Sequence, residues 1–331
     1  MLVWTGNSSI RFGVGKIGIT GGAGFVGTNL ARALQFNGYE VVVIDDFSGG
    51  LRSNLSDIEC EVREVSIVDF AELKGALSGC DYIFHLAARG SVPRSITNPR
   101  ATFEVNLTGT LNVLECARNF DVQVAFSSSS SVFGLNQQLP KSERMWTAPL
   151  TPYASSKLAG EGLMESYAAS YKVPIVSYRF FNIFGPWQRP DHDYAAVIPK
   201  WIWKLMKNEE IQIFGDGEQS RDFTYVDDVV EILIEGMKTQ LNHPSPINLA
   251  FGSRVTLNEV VLALGEHFAE VKVRYSEERA GDVKHSQNDP RLLQELFPSI
   301  KHREFPEALQ KTIEWFAEFG SRIANGPKLR D

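Results

Sequence analysis

Tyr153 and Lys157 stand four residues apart in the stretch Leu150-Thr151-Pro152-Tyr153-Ala154-Ser155-Ser156-Lys157. On a helix that spacing puts both side chains on one face. A cation beside a phenol favours the phenolate and draws a pKa that starts near 10 toward working pH. The pair is therefore a candidate general base. A helix is expected here because Thr151 can cap it and Pro152 suits its first turn. The proline ring presets φ, and its missing N–H would have had no partner there. Tyr-x-x-x-Lys also arises by chance as a surface pair, so the rest of the chain must supply its context.

The first positioning element is a short buried strand, Lys16-Ile17-Gly18-Ile19-Thr20, followed at once by Gly21-Gly22-Ala23-Gly24-Phe25-Val26-Gly27. An apolar helix through Leu30, Ala33 and Leu34 comes next. Glycines after a strand let the backbone turn tightly and approach a pyrophosphate, which the free N–H groups of the helix start then stabilise. The spacing is Gly-x-x-Gly-x-x-Gly, one residue wider at the first gap than the commonest dinucleotide fingerprint. A second strand, Glu40-Val41-Val42-Val43-Ile44, ends in Asp45-Asp46, and Asp45 lies 18 residues past Gly27. A carboxylate at that strand end can accept hydrogen bonds from the adenosine ribose and repels a 2′-phosphate, which favours NAD over NADP.

Strand-like runs continue at 61–66, 82–87, 122–128 and 175–182, with helical periodicity near 69–78, 97–118 and 153–170. This alternation predicts an α/β fold, a Rossmann-type doubly wound parallel sheet covered on both faces. Ligands of such sheets bind beyond the carboxyl ends of strands. His85-Leu86-Ala87-Ala88, the run Ser127 to Ser131 and Asn182 all fall at such ends. Five serines could be a flexible linker, but here they sit between Val122-Gln123-Val124-Ala125-Phe126 and Val132-Phe133-Gly134. A hydroxyl there could bond a substrate oxygen near Tyr153, or simply bond local backbone. The expected division is an extension over 1–14, a dinucleotide-binding domain over 15–182 with later segments returning to it, and a smaller substrate lobe over 183–331.

Within that lobe a helix is expected from Ala195 to Lys207, then strand and helix patterns at 246–252 and 256–268. Arg221 and Arg279 could clamp a diphosphate, since guanidinium groups bond phosphate oxygens in a fork; each could equally be a surface salt bridge. The bulk numbers bound these readings. With 331 residues, 43% hydrophobic and 22% charged, the chain is an ordinary globular protein. A net charge of −7 argues against a broad nucleic-acid surface. Cys60, Cys80 and Cys116 have no metal-ligand spacing and read as reduced thiols, so no metal is expected. No apolar run approaches a membrane span, and the N-terminus lacks a secretory pattern, so a cytoplasmic location is expected.

Taken in this order, Gly21/Gly24/Gly27, Asp45, the serine strand end and Tyr153/Lys157 resemble the extended short-chain dehydrogenase/reductase superfamily, and within it the nucleotide-sugar 4-epimerases. The resemblance runs from about Lys16 to Leu309. It implies that Gly21, Gly24, Phe25, Val26 and Gly27 cradle the NAD pyrophosphate, with Asp45 on the adenosine ribose, Ile67 by the adenine and Ala87 at the strand end lining the cofactor. Asn106 matches a helix asparagine near the active site. Lys157 would bond the nicotinamide ribose while keeping Tyr153 acidic, and Ser129 matches the catalytic hydroxyl of Ser-Ser-Ser-x-x-Val-Tyr-Gly. Asn182, Arg221 and Arg279 would contact the substrate diphosphate. Two positions depart from the pattern: Phe133 replaces its tyrosine, and Ser66 stands where an aspartate often faces adenine. A homodimer through the helices near 97–118 and 153–170 is also implied.

The subclass follows from chemistry. Tyr153 would take the proton of the sugar 4-hydroxyl while NAD takes the C4 hydride, leaving a 4-keto sugar. Dehydratases of the family then need an Asp-Glu pair, and decarboxylases a glutamate, where this chain has Ser130 and Ser131. Serine at an ordinary pKa cannot eliminate water, which leaves return of hydride to the other face. Two stretches, Tyr194-Ala195-Ala196-Val197-Ile198-Pro199-Lys200-Trp201 and Gly281-Asp282-Val283-Lys284-His285-Ser286-Gln287, resemble epimerases of UDP-N-acetylhexosamines, which adds Val197, Asp282 and Ser286 to the substrate set. Ser286 stands where enzymes restricted to UDP-glucose and UDP-galactose carry tyrosine, so it leaves room for a 2-acetamido group. The expected reaction is interconversion of UDP-GlcNAc and UDP-GalNAc, with some activity on UDP-Glc/UDP-Gal. The rivals are a UDP-glucose or UDP-glucuronate 4-epimerase, a nucleotide-sugar dehydratase, and a catalytically silent NAD-binding protein.

Overall fold

The structure is a computed structural model that describes residues 15–191, 195–278 and 284–324. Its centre is a seven-stranded parallel sheet. Six of its strands come in sequence: β1 (Lys16–Thr20), β2 (Glu40–Ile44), β3 (Glu61–Arg63), β4 (Tyr82–His85), β5 (Gln123–Ser129) and β6 (Ile175–Phe180). Short strands β7 (Asn182–Phe184), β8 (Ile211–Phe214), β9 (Ser220–Arg221) and β10 (Phe223–Tyr225) follow, before β11 (Ile247–Leu249) returns to the sheet. The order is β11-β6-β5-β4-β1-β2-β3. Strand order reverses between β1 and β4, and their carboxyl ends open the crevice in which doubly wound sheets bind ligands.

Strands buried on both faces need helices on both sides. On one side lie α1 (Phe25–Phe36), through Leu30 and Leu34, and a later helix over Val226–Lys238, through Val229, Leu233 and Met237. On the other lie α2 (Phe70–Leu77), a helix over Gly109–Phe120 and one over Pro152–Tyr171, which bury Leu73, Val113, Ala117, Met164 and Tyr167. A separate apolar cluster gathers Trp201, Ile202, Ile211, Ile213, Val260, Leu264, Leu309 and Phe316.

The helix expected over 97–118 is broken into pieces: α3 (Val92–Thr97), α4 (Pro99–Phe103), a single π-helical turn over Glu104–Thr108, and α5 (Gly109–Phe120). The cause is local. Asn98 precedes proline and so leaves the helical region (φ −135°, ψ 79°), and its side chain accepts from Ala101 N to start the next piece. The strand expected over 175–182 likewise divides, with β7 turning away to pair in parallel with β10. Helix α6 (Pro152–Tyr171) starts as its sequence requires: Thr151 Oγ1 accepts from Ala154 N at 3.2 Å, with Pro152 at the first position. It ends at Lys172 in the left-handed conformation, φ 63°. The remaining elements are α7 (Val197–Met206), α8 (Val226–Lys238), β12 (Val255–Thr256), α9 (Leu257–Gly265), β13 (Val273–Ser276), α10 (Arg291–Leu296) and α11 (Phe305–Ala324).

Candidate active site

The turn after β1 is shaped by contact, not only by flexibility. Gly21 has φ +71°, and a Cβ built there would sit 2.6 Å from Ala87 N, so the turn presses directly on the end of β4. A Cβ on Gly27 would sit 2.4 Å from Gly21 O. Only glycine lets α1 start this close to the strand. Gly24 is the N-cap residue and has no side chain to offer, and the first turn, which includes Phe25 and Val26, contains no acidic residue. The helix start thus keeps N–H donors and positive dipole for an outside anion. Asp45, at the end of β2, is held by Ala23 N at 3.0 Å and Phe47 N at 2.8 Å. Burial pushes its carboxyl up to about 6, against the pull of those two backbone donors. Ile67 is buried against Gly109, where a Cβ would lie 2.3 Å from its side chain, and its carbonyl accepts from Asn112 Nδ2. Ser66 Oγ accepts from the nearby Val68 N. These residues fit an adenine dinucleotide: an uncapped helix start for the pyrophosphate, a fixed carboxylate for the ribose, and an apolar wall.

A buried hydrogen-bond relay ties this crevice to the Tyr153 helix. Thr20 Oγ1 lies 2.8 Å from His85 Nδ1, His85 Nε2 lies 2.9 Å from Thr110 Oγ1, and Thr110 Oγ1 donates to Asn106 O at 2.6 Å. Thr110 has one proton and gives it to Asn106, so Nε2 of His85 must donate and Nδ1 must accept from Thr20. Burial, and the charge of Lys157, hold the imidazole down at about 3, so it is neutral. Asn106, inside the π-turn, accepts from Arg89 N at 2.7 Å and donates to Ser156 Oγ at 2.9 Å; Ser156 in turn donates to Tyr153 O. A π-turn in a helix is frequent at functional sites because it re-aims a side chain. Sequence reading placed His85 only at a strand end and did not find Thr20, Thr110 or Ser156.

The serine run reaches the candidate base. Ser129 hydrogen-bonds the Tyr153 phenol, and its Oγ accepts from Ser131 N at 3.2 Å and Ser131 Oγ at 2.9 Å. Burial raises the Tyr153 pKa above its ordinary value, and the Ser129 bond pulls the other way. Lys157, 3% exposed, donates to Ser127 O at 2.6 Å. Burial pulls the Lys157 pKa down to about 7, with Glu161 opposing. In the protein alone, then, the lysine grips the strand end, and its charge does not offset the burial of the phenol. Phe133, in place of the expected tyrosine, is buried with its ring 5.0 Å from the Arg179 guanidinium and needs no hydroxyl partner.

The residues expected on the substrate side gather around the short strands β7 and β9. Asn182 N donates to Asp222 O at 3.3 Å, Arg221 Nη1 donates to Ser220 O at 2.9 Å and Lys284 O at 3.3 Å, and Ser286 N donates to Ser220 O at 3.0 Å. Arg221 and Ser286 are thereby brought together around Ser220. Val197 opens α7 and packs half-buried against the apolar cluster of Trp201 and Ile202. Arg279 and Asp282 lie outside the described residues.

The profile of the NAD-dependent epimerase/dehydratase family matches residues 17–250. The UDP-glucose 4-epimerase of Mycolicibacterium smegmatis is 34% identical over 90% of this chain and 97% of its own. Among solved structures, the UDP-N-acetylglucosamine 4-epimerase of Methanobrevibacter ruminantium, in complex with UDP-N-acetylmuramic acid, superposes with TM-score 0.86 at 36% identity over 92% of this chain and 98% of its own. The UDP-glucose 4-epimerase of Thermus thermophilus, in complex with NAD, superposes with TM-score 0.83 at 30% identity over 92% and 99%. Sheet order, glycine turn and profile agree along the chain. It belongs to the NAD-dependent epimerase/dehydratase family and is an NAD-using enzyme.

Proposed function

We propose that the protein epimerises a UDP-hexose at C4 through a 4-keto sugar, with UDP-GlcNAc and UDP-GalNAc as the preferred pair. The observation that carries the reaction type is the surroundings of Tyr153. Its hydroxyl partner is Ser129, and Ser130 and Ser131 follow where an eliminating enzyme needs an acid and a base. Ser131 spends its hydroxyl on Ser129, which orients that group toward the phenol. The proton of the sugar 4-hydroxyl would pass through Ser129 Oγ to Tyr153 Oη, which must start the step as a phenolate, the form a lysine charge favours. Lys157 supplies the nearby positive charge. The chemistry that bound NAD contributes is reversible hydride acceptance at sugar C4. With serines at positions 130 and 131 in place of an acid–base pair, the ketone's productive exit is rotation and reduction from its other face.

Preference for the acetylated sugar rests on the small residue Ser286, whose N–H bonds the same Ser220 O that receives Arg221. The second reading is the non-acetylated pair, favoured by the likeness to the Mycolicibacterium enzyme. Incubation of purified protein with UDP-GlcNAc and no added cofactor, with products resolved by anion exchange and NMR, tests both. UDP-GalNAc supports the proposal. Conversion of UDP-glucose alone removes the reading of Ser286, and a 4-keto, unsaturated or decarboxylated product removes the epimerase. The same reading includes a homodimer, supported by exposed Leu111 and Tyr171 on α5 and α6, and a cytoplasmic location, supported by three unpaired cysteines.

A further inference from the structure

Three successive residues at the end of β5 each hold one of three residues spaced one helical turn apart on α6. Ser129 binds the Tyr153 phenol, Ser127 O accepts from Lys157 Nζ at 2.6 Å, and Ser128 Oγ donates to Glu161 Oε1. Glu161 also receives Arg179 in a fork from β6, Nε to Oε1 and Nη2 to Oε2, both at 2.8 Å, with the two side chains 4% and 5% exposed. The mechanism uses the first two contacts and leaves the third unused. A buried ion pair is expensive to desolvate and rarely improves stability over apolar packing, so its place one turn below Lys157 calls for another reason.

We propose that Ser128, Glu161 and Arg179 are positioning residues: they lock the register of α6 against β5 and place a buried anion one helical turn from Lys157. The proposal rests on the epimerase reading for the meaning of Lys157, but its geometry stands without it. Without Ser128, the Glu161 carboxylate keeps Arg179 and loses its link to the serine strand, so α6 is tied there only by the two contacts that must also do the chemistry. Without Glu161, the ammonium of Lys157 keeps Ser127 O and the Phe126 ring at 5.0 Å but has no opposite charge one turn away. The groups sharing this field are Tyr153, Glu161 and Glu165 on α6, His85 on β4, Arg179 on β6 and Glu143 in the loop before α6. His85 is neutral, and Arg179 already engages both Glu161 oxygens.

The test uses the full chain. Removing Glu161 alone strands a buried arginine and risks unfolding, so the pair is replaced together as Glu161→Gln/Arg179→Met, beside Ser128→Ala and Ser128→Thr. Lysine-labelled NMR titrates Lys157, identified by its loss in Lys157→Met, without substrate. The double variant removes the anion one turn from Lys157 and the cation paired with it, so the Lys157 midpoint is expected to fall by about half a pH unit, less than the full effect of losing an opposite charge. With UDP-GlcNAc as substrate, Ser128→Ala is expected to lower kcat about tenfold with KM unchanged, and Ser128→Thr, which keeps the hydroxyl, to stay within about twofold of wild type. An unmoved Lys157 midpoint in the double variant overturns the proposal. So does a Ser128→Ala protein that melts earlier but turns over like wild type, because the contact is then only structural. If the midpoint moves as expected while the wild type converts no UDP-sugar, the epimerase reading is retired and the positioning role is supported.

Discussion

Replacing Gly27 by alanine isolates the closeness of α1 to β1. The added Cβ would stand 2.4 Å from Gly21 O and 2.6 Å from Gly22 Cα, where ordinary contact begins at 3.4 Å. Both neighbours are backbone, so no side chain can swing aside. The start of α1 must retreat by about 1 Å, the difference between 3.4 and 2.4 Å. Overpacking of this kind costs about 1–3 kcal/mol, a fall in Tm of about 1–4 °C for a chain of this size. The same retreat carries the helix N–H groups away from a bound pyrophosphate. A rise in the NAD Kd of about 10- to 100-fold, or about 1.4–2.8 kcal/mol, is expected. Gly162, on α6, is the control: a Cβ there meets nothing within 4 Å. Gly162→Ala should raise stability by about 0.5–1 kcal/mol through helix propensity and leave Kd alone. Isothermal titration with NAD and thermal unfolding measure both quantities. A Gly27→Ala protein that melts early but binds NAD like wild type would refute the pyrophosphate reading of this turn while sparing the packing argument. One that matches wild type in both would refute the geometry itself.

Tyr153→Phe should lower kcat about 10²- to 10⁴-fold with the NAD Kd within a few-fold of wild type; turnover near wild type in the UDP-sugar assay would remove Tyr153 as the base. Ser286→Tyr should cut kcat/KM for UDP-GlcNAc at least about tenfold while sparing UDP-glucose, and equal losses on both substrates would contradict the steric reading. His85 gives a stability prediction whose sign follows from its depressed pKa. The folded protein holds it neutral down to about 3, whereas the unfolded chain protonates it near 6.5, so its contribution is complete above pH 6.5 and lost as pH falls below that value. Between pH 6.5 and 5 the loss is about 2 kcal/mol. Asp45 and Asp222, both pushed up to about 6 by burial, act in the opposite direction below that pH. The informative quantity is therefore the Tm difference between wild type and His85→Gln, which should shift toward the variant on acidification; a pH-independent difference would mean that the imidazole charges in the folded state.

Local rules made much of this architecture legible. Gly21 needed a positive φ and a close approach, Thr151 and Pro152 needed a helix start, and β-branched runs needed a buried sheet; each demand is visible in a few neighbouring residues. What stayed hidden depends on distance or on single-residue changes of phase. The Asn98-Pro99 break lay inside an apolar periodicity strong enough to look like one helix, and a π-turn shifts that periodicity by only one residue. The partner of Lys157 is a backbone carbonyl thirty residues away, to which no side-chain pattern points. His85 meets Thr20 and Thr110 across 65 and 25 residues of sequence; the parallel register of β1 and β4 brings Thr20 to it, and the packing of α5 brings Thr110. Glu161 was the exception. It lies four residues past Lys157 on the same helical face, the spacing that identified Lys157 itself, and the buried acid could have been found by extending the same count by one turn.

Epimerisation makes two opposed physical demands, and the two sides of the crevice divide them. A ketone that must turn over before it is reduced has to be released by the pocket without leaving the enzyme, so the nucleotide end must be gripped while the sugar end stays loose. In the proposed binding mode the nucleotide side is rigid: Asn182 and Arg221 are each held by bonds to neighbouring backbone, and Asp222 between them accepts from Gly252 N, Ser253 N, Ser253 Oγ and Asn288 N. In the proposed reaction the sugar side is lined by small groups, Ala87, Ser129, Ser130, Ser131 and Ser286, which offer hydroxyls without bulk. An eliminating enzyme would invert this arrangement. It has no need for rotation, and its added acid and base would fill the space that Ser130 and Ser131 leave open. The small side chains at those two positions thus act twice in the proposed reaction: they withhold the groups for elimination and supply the room for the turn.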